Sequence, residues 1–167
     1  MGLSAGTSVI VAQDYGAGHP IDVRRSVHTS IAISIIGGLI VAVIGFVFCR
    51  PLLEIMGTPE DIINLSTLYM KIYFIGVPAV MVYNFGAAIL RAVGDSRRPM
   101  YYLIVSGVIN VALNLFFVLI LHMSVEGVAW ATVISQYIST LLTLVCLMKS
   151  DGAIRFIPRQ LRIDGRK

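Results

Sequence analysis

The sequence predicts an all-α membrane protein, a helical bundle of four full transmembrane helices with one partial N-terminal helix. Three observations carry this reading. Residues 26–49, 72–90, 99–125 and 127–148 contain no Asp, Glu, Lys or Arg, and each block is long enough, at about 1.5 Å of rise per residue, to cross roughly 30 Å of hydrocarbon. The composition, 57 % hydrophobic and 13 % charged with a mean hydropathy of +0.85, leaves little material for a water-facing surface; a soluble domain carries about twice that charge. The charged residues gather between the blocks and in the tail, with Gly16, Gly18, Pro20, Gly57, Pro59 and Gly94 as turn and stop signals there.

The chain opens on an apolar run, GLSAGTSVIVAQ, with no basic leader and no small-residue cleavage site. A signal peptide explains this poorly. Residues 1–15 read instead as the later part of a membrane helix that begins outside the chain, with an interfacial or re-entrant segment as the alternative for so short a run. The connector 16–25, GAGHPIDVRR, uses two glycines and Pro20 to end one helix and Asp22, Arg24 and Arg25 to precede the next. The first full helix is expected over 26–49, with Gly38, Ala42 and Gly45 as small residues on neighbouring turns where another helix can approach closely.

PLLEIMG then reads as a short amphipathic turn closed by Gly57. Thr58 as cap, Pro59 at the first helical position and Glu60 with Asp61 in the first turn mark a helix start. That helix, 59–92, extends beyond the lipid before entering it, and Pro78 is expected to weaken or kink it. RAVGDSRRP stops it at Gly94 and starts the next helix, 99–121; a brief HMSVEG turn leads to the last, 127–148. Short turns imply antiparallel neighbours. Residues 150–167 read as a basic tail or linker on the surface.

Alternating the sides places every basic residue except Arg50 and Lys71 on one face of the membrane. The positive-inside rule assigns that face, with loops 16–25 and 91–99 and the tail, to the cytoplasm of a plasma (inner) membrane protein. The net charge of +4 is therefore topological and does not point to nucleic acid; the expected partner is the lipid bilayer. Cys49 and Cys146 lie at helix ends separated by three further crossings, so no disulfide is expected. His19, His28 and His122 lack metal-ligand spacing, and no nucleophile elbow, phosphate loop or carboxylate pair is present, so neither a metal nor an enzyme activity is expected.

Because charge is costly in lipid, the polar residues inside the blocks are the candidates for function. Asn110 and Asn114 share a helix face with Ser106 one turn earlier. Their amide and hydroxyl oxygens suit a weakly held cation or a polar substrate group; the same pattern equally serves interhelical hydrogen bonding. Thr132, Gln136, Thr140 and Thr143 form a second polar stripe, with packing as its alternative use. Tyr73, Tyr83 and Phe85 can offer aromatic faces to a cationic molecule or simply face lipid and helices. For Arg91, Asp95, Arg97 and Arg98, helix capping and topology are the expected roles.

VAQDYGAG (11–18), RAVGDSRRP (91–99), NVALNLFFV (110–118) and EGVAWATVISQ (126–136), in this order and at these separations, resemble successive motifs of the multidrug and toxic compound extrusion (MATE) family. The resemblance spans nearly the whole chain and implies helices two to six of the N-terminal lobe. It implies a twelve-helix transporter of two six-helix lobes that exports cationic or amphipathic small molecules in exchange for Na+ or H+ by alternating access; no cofactor beyond that coupling ion is expected. The partners so implied are a drug or metabolite, the family's first helix with its acidic residue, and the C-terminal lobe. In some relatives the place of Asn114 is an Asp of the coupling site, and that of Thr132 a cation-site threonine. Asn84, Asn110, Asn114, Thr132, Gln136 and Tyr83 are the candidate cavity residues on this basis. The rival readings are a lipid-linked oligosaccharide flippase of the same superfamily, and a non-transporting truncated or accessory membrane protein.

Overall fold

The computed structural model describes residues 2–150, 152 and 154–160. Its elements are α1 (Gly2–Gly16), α2 (Pro20–Ile55), α3 (Glu60–Ala92), α4 (Arg97–Leu115) continued by a π-helical turn (Phe116–Ile120), α5 (Val125–Lys149) and a 3-10 turn (Pro158–Gln160). All four helices after α1 are long and apolar enough to cross a membrane, counting α4 with its π turn. Their outward faces are apolar, as at Leu39, Ile40 and Val43 of α2 and Leu103, Ile104 and Val108 of α4. The chain is a multi-pass integral membrane protein.

Several boundaries differ from the sequence expectation; α4 starts at Arg97, two residues before Pro99, and α5 runs over 125–149 instead of 127–148. The connector 16–25 contracts to three residues, because Pro20 has no N–H to lose and starts α2 directly, with Asp22 in its first turn. At the other end α2 runs on through Pro51, so PLLEI belongs to the helix; Met56 caps it and Gly57, at φ +74°, turns the chain. α2 is thus 36 residues, not 26–49. The next helix starts one residue later than expected: Pro59 occupies the cap position, and its carbonyl accepts from the N–H groups of Ile62 and Ile63.

α3 is the centre of the bundle, packing against α1, α2 and α5, while α4 packs mainly on α5. Absent side chains set the spacing of α2 on α3: a Cβ on Gly38 would stand 2.7 Å from Pro78 Cα, and one on Gly45 would run into the ring of Phe74. α3 stays helical through Pro78. The N–H that Pro78 lacks would have bonded the Phe74 carbonyl one turn back. α5 adds hydroxyl donors to neighbouring carbonyls on both sides of the proline: Tyr137 Oη donates to the Ile75 carbonyl (2.7 Å) and Thr140 Oγ1 to that of Ala79 (2.6 Å).

The ends of α1, α3 and α5 and the starts of α2 and α4 gather at one end of the bundle, the basic end. Here Val11, Val23, Val27, Ile31, Ile89, Leu90 and Leu147 form the main core. Ser26 Oγ donates to Asp14 Oδ2 (2.9 Å), tying α1 to α2. Asp95 caps α4 by accepting from the Arg98 N–H (3.2 Å) and pairs with the Arg98 guanidinium (3.1 Å), so this loop does the capping work expected of it. The segment after α5 departs from the surface role expected for 150–167: Phe156 is buried in the same core. Arg162, Arg166 and Lys167 lie outside the described residues.

Candidate functional site

The polar residues of α4 meet those of α5 in one continuous hydrogen-bonded network. Ser106 Oγ donates to the Ser135 carbonyl (2.8 Å), and Asn110 Nδ2 donates to Ser135 Oγ (3.1 Å) and, at 3.4 Å, to Thr132 Oγ1. One turn further, Asn114 Nδ2 donates to Asn110 Oδ1 (2.9 Å). The hydroxyls of Thr132 and Ser135 are anchored in turn on the carbonyls of Val128 and Thr132. Four-residue spacing on α4 and the three- to four-residue spacing on α5 make this possible, since each set rises along a single helix face.

One buried acceptor of this network has no partner among the described residues, Asn114 Oδ1. A buried, unpaired amide oxygen costs about 1–3 kcal/mol, and it offers partial negative charge without a titratable proton. Such a group fits a cation or a hydrogen-bond donor, with Thr132 Oγ1 and Asn110 Oδ1 as further oxygens on the same seam. Immediately after it α4 widens into the π turn Phe116–Ile120, a geometry that recurs beside functional sites.

The other candidates lie apart from this network. Gln136 sits on the opposite seam of α5, where the missing side chain of Gly76 on α3 makes room for its amide; its Oε1 is also buried without a partner. Tyr83 Oη donates to the Pro99 carbonyl (2.8 Å), pinning α3 to the first turn of α4. Asn84 is half-buried on α3 and takes no part in the α4–α5 bonds. Of the second stripe, Thr140 and Thr143 serve packing: the former bonds Ala79, and the latter fills the space left by Gly86. Ser135, buried and bonded at both its hydroxyl and its carbonyl, was not among the expected residues; its three-residue offset from Thr132 is the signal that marks it.

The MatE family model matches residues 1–116. The chain belongs to the MATE family. It is 37 % identical to the probable multidrug resistance protein YoeA of Bacillus subtilis over 98 % of its own length, and 28 % identical to the multidrug export protein MepA of Staphylococcus haemolyticus over 93 %. It spans 37 % and 34 % of those two proteins. Solved structures of a MATE family transporter of the MOP superfamily match 99 % of the chain in the inward-facing and the outward-facing conformation alike, each with a TM-score of 0.90 and 25 % identity, covering 38 % and 37 % of those chains. A MATE structure in the bent conformation matches at a TM-score of 0.92 and 25 % identity, over 99 % of this chain and 37 % of that one.

Proposed function

We propose that this MATE chain forms most of one lobe, helices two to six, of a multidrug efflux antiporter that exports cationic or amphipathic small molecules by alternating access, with Na+ or H+ as the coupling ion. The observation that carries the reading is the α4–α5 network, whose open acceptor is the buried Asn114 Oδ1. Its members Ser106, Asn110, Asn114, Thr132 and Ser135 are all neutral, so they favour Na+: amide and hydroxyl oxygens hold a hard cation and give no site for proton exchange near neutral pH. The names of YoeA and MepA support the substrate class.

The basic end, with loops 16–25 and 91–99 and the tail, faces the cytoplasm of the inner membrane on this reading. A cysteine replacing Ser96 is expected to react with an impermeant maleimide only after the cells are opened, and labelling in intact cells reverses the orientation.

Alternating access needs two lobes about a central site. In proteoliposomes containing this chain within a two-lobe transporter, an inward Na+ gradient is expected to drive export of ethidium, and Asn114→Leu to lower it at least about tenfold, the loss of a charge-assisted contact. Unchanged transport by Asn114→Leu refutes the site. Gradient-driven ethidium transport by residues 1–167 alone refutes the single-lobe reading.

A further inference from the structure

α2 and α5 pack on α3 and hardly meet each other directly among the described residues. At the basic end they are nevertheless joined, by the segment that follows α5. Gly152, at φ +85° with open space around it, turns the chain, a conformation that side-chain-bearing residues adopt with strain. Residues 154–160 then run back across the bundle. The Phe156 N–H donates to the Leu147 carbonyl of α5 (3.1 Å), and its ring is 6 % exposed within the core shared by Val23, Val27, Ile89 and Leu147.

On the far side this segment is gripped by α2. The Ile157 N–H lies 3.1 Å from His28 Nε2, and His28 Nδ1 lies 2.7 Å from the Arg24 carbonyl; in the tautomer that uses both contacts, Nδ1 donates to Arg24 and Nε2 accepts from Ile157. The Ile157 carbonyl lies 3.2 Å from the same Nε2. The Phe156 ring stacks at a tilt on the imidazole, centroids 5.4 Å apart, and Arg24 Nη2 donates to Gln160 Oε1 (2.6 Å). His28 is thus a buried group whose two nitrogens are both spent, one on its own helix and one on the returning segment.

We infer that residues 154–160 are a bracket that fastens α2 to α5 across the end of α3, so that the basic end moves as one rigid body while the transporter changes state, with His28 as its positioning residue. Two observations point to a fixed bracket instead of a lid: Phe156 is part of the core, and the chain fits the inward- and outward-facing structures equally well. The comparison of states rests on the antiporter reading; the bracket's hold on α2 and α5 does not.

The test uses the full-length transporter in proteoliposomes, with Cys49→Ala and Cys146→Ala and spin labels at Ile21→Cys and Met148→Cys, both exposed positions at this end. Pulsed electron-electron distance measurement is expected to give one narrow distribution that stays the same with and without Na+ and ethidium. Phe156→Ser is expected to broaden it. Should that variant fail to fold, His28→Phe fills the same space and keeps the ring contact while losing both bonds, and it is expected to broaden the distribution in the same way. In a second arm that keeps Cys146 and carries only Cys49→Ala, His28→Phe is expected to speed maleimide reaction of the buried Cys146 about tenfold, as local opening becomes easier. Distributions as narrow in both variants as in the parent overturn the bracket, as does a parent distance that shifts between states. Failure of ethidium transport with the variant effects intact would fault the antiporter reading and leave the bracket standing.

Discussion

Asn110 holds α4 in place, and its removal should be measurable as lost stability. α4 buries little of its apolar length and packs chiefly on α5, so its cross-helix bonds carry an unusual share of the attachment. Asn110→Ala removes one good bond, to Ser135 Oγ at 3.1 Å, and one long one, to Thr132 Oγ1 at 3.4 Å. Interhelical bonds in membranes average about 0.6 kcal/mol and reach roughly 1.7, which gives about 1 kcal/mol for the pair. The substitution also strips the part-buried Asn114 Nδ2 of its acceptor at 2.9 Å, and an orphaned donor costs up to about 1–3 kcal/mol. The sum is about 2–4 kcal/mol. Thermal unfolding in dodecyl maltoside micelles should therefore shift down by roughly 5–15 °C, at about 2–4 °C per kcal/mol for a chain of this size. A double-mutant cycle with Ser135→Ala isolates the bond, with an expected coupling of about 0.5–1.5 kcal/mol. If Ser135→Ala costs the same whether or not Asn110 is present, the two residues do not interact and the network is misdrawn.

Four further outcomes follow from the packing and the site. Gly38→Ala sets a Cβ 2.7 Å from the backbone Cα of Pro78, which cannot rotate away; overpacking of about 1–3 kcal/mol should exceed the gain in helix propensity of about 1 kcal/mol, so melting falls. Gly107→Ala on α4 meets nothing within 4 Å and should melt at or above the parent, which makes it the control for propensity. Thr140→Val keeps the side-chain shape but removes the donor to the Ala79 carbonyl (2.6 Å); a loss of about 1 kcal/mol is expected in the same melt. Asn114→Asp places a titratable carboxylate in a buried site, where desolvation disfavours the charged form. Ethidium export by the two-lobe transporter should then acquire a pH dependence between about pH 5 and pH 8 that the parent lacks.

What could be read from the sequence follows what lipid demands of each residue locally. A charge-free block must hydrogen-bond its own backbone and so must be helical, which is why the four spans and their order were legible. Asn110, Asn114 and Thr132 were legible for the same reason: amides and hydroxyls stand out in apolar helices, and four-residue spacing assigns them a face. The neighbour that each face meets is a tertiary matter. Tyr83 and Gln136 lie on the same helices as expected, yet one bonds the start of α4 and the other fills a notch at Gly76; nothing within α3 or α5 alone specifies this. His28 and Phe156 were hidden by distance, since their contact joins residues far apart in the chain and a histidine shows its partner only in the fold.

The distribution of contacts suggests how such a lobe can stay rigid yet respond at its site. α2, α3 and α5 are locked by the close approach of Gly38 to the Pro78 backbone, by Gln136 and Thr143 filling the space beside Gly76 and Gly86, and by the hydroxyl bonds that flank Pro78. Close-packed helices of this kind have few intermediate arrangements. α4 is different, because its link to α5 is mostly the polar network itself, ending in an acceptor with no partner and a π turn. On the proposed function, a cation held at Asn114 Oδ1 would engage the residues that set the position of α4. Binding energy then acts on one helix edge while the other three helices keep their shape, and the lobe presents a changed surface without refolding. Measuring the α4–α5 distance by spin labels at Val108→Cys and Leu141→Cys, both exposed, tests this directly: Na+ should narrow that distribution, and Asn114→Leu should abolish the narrowing.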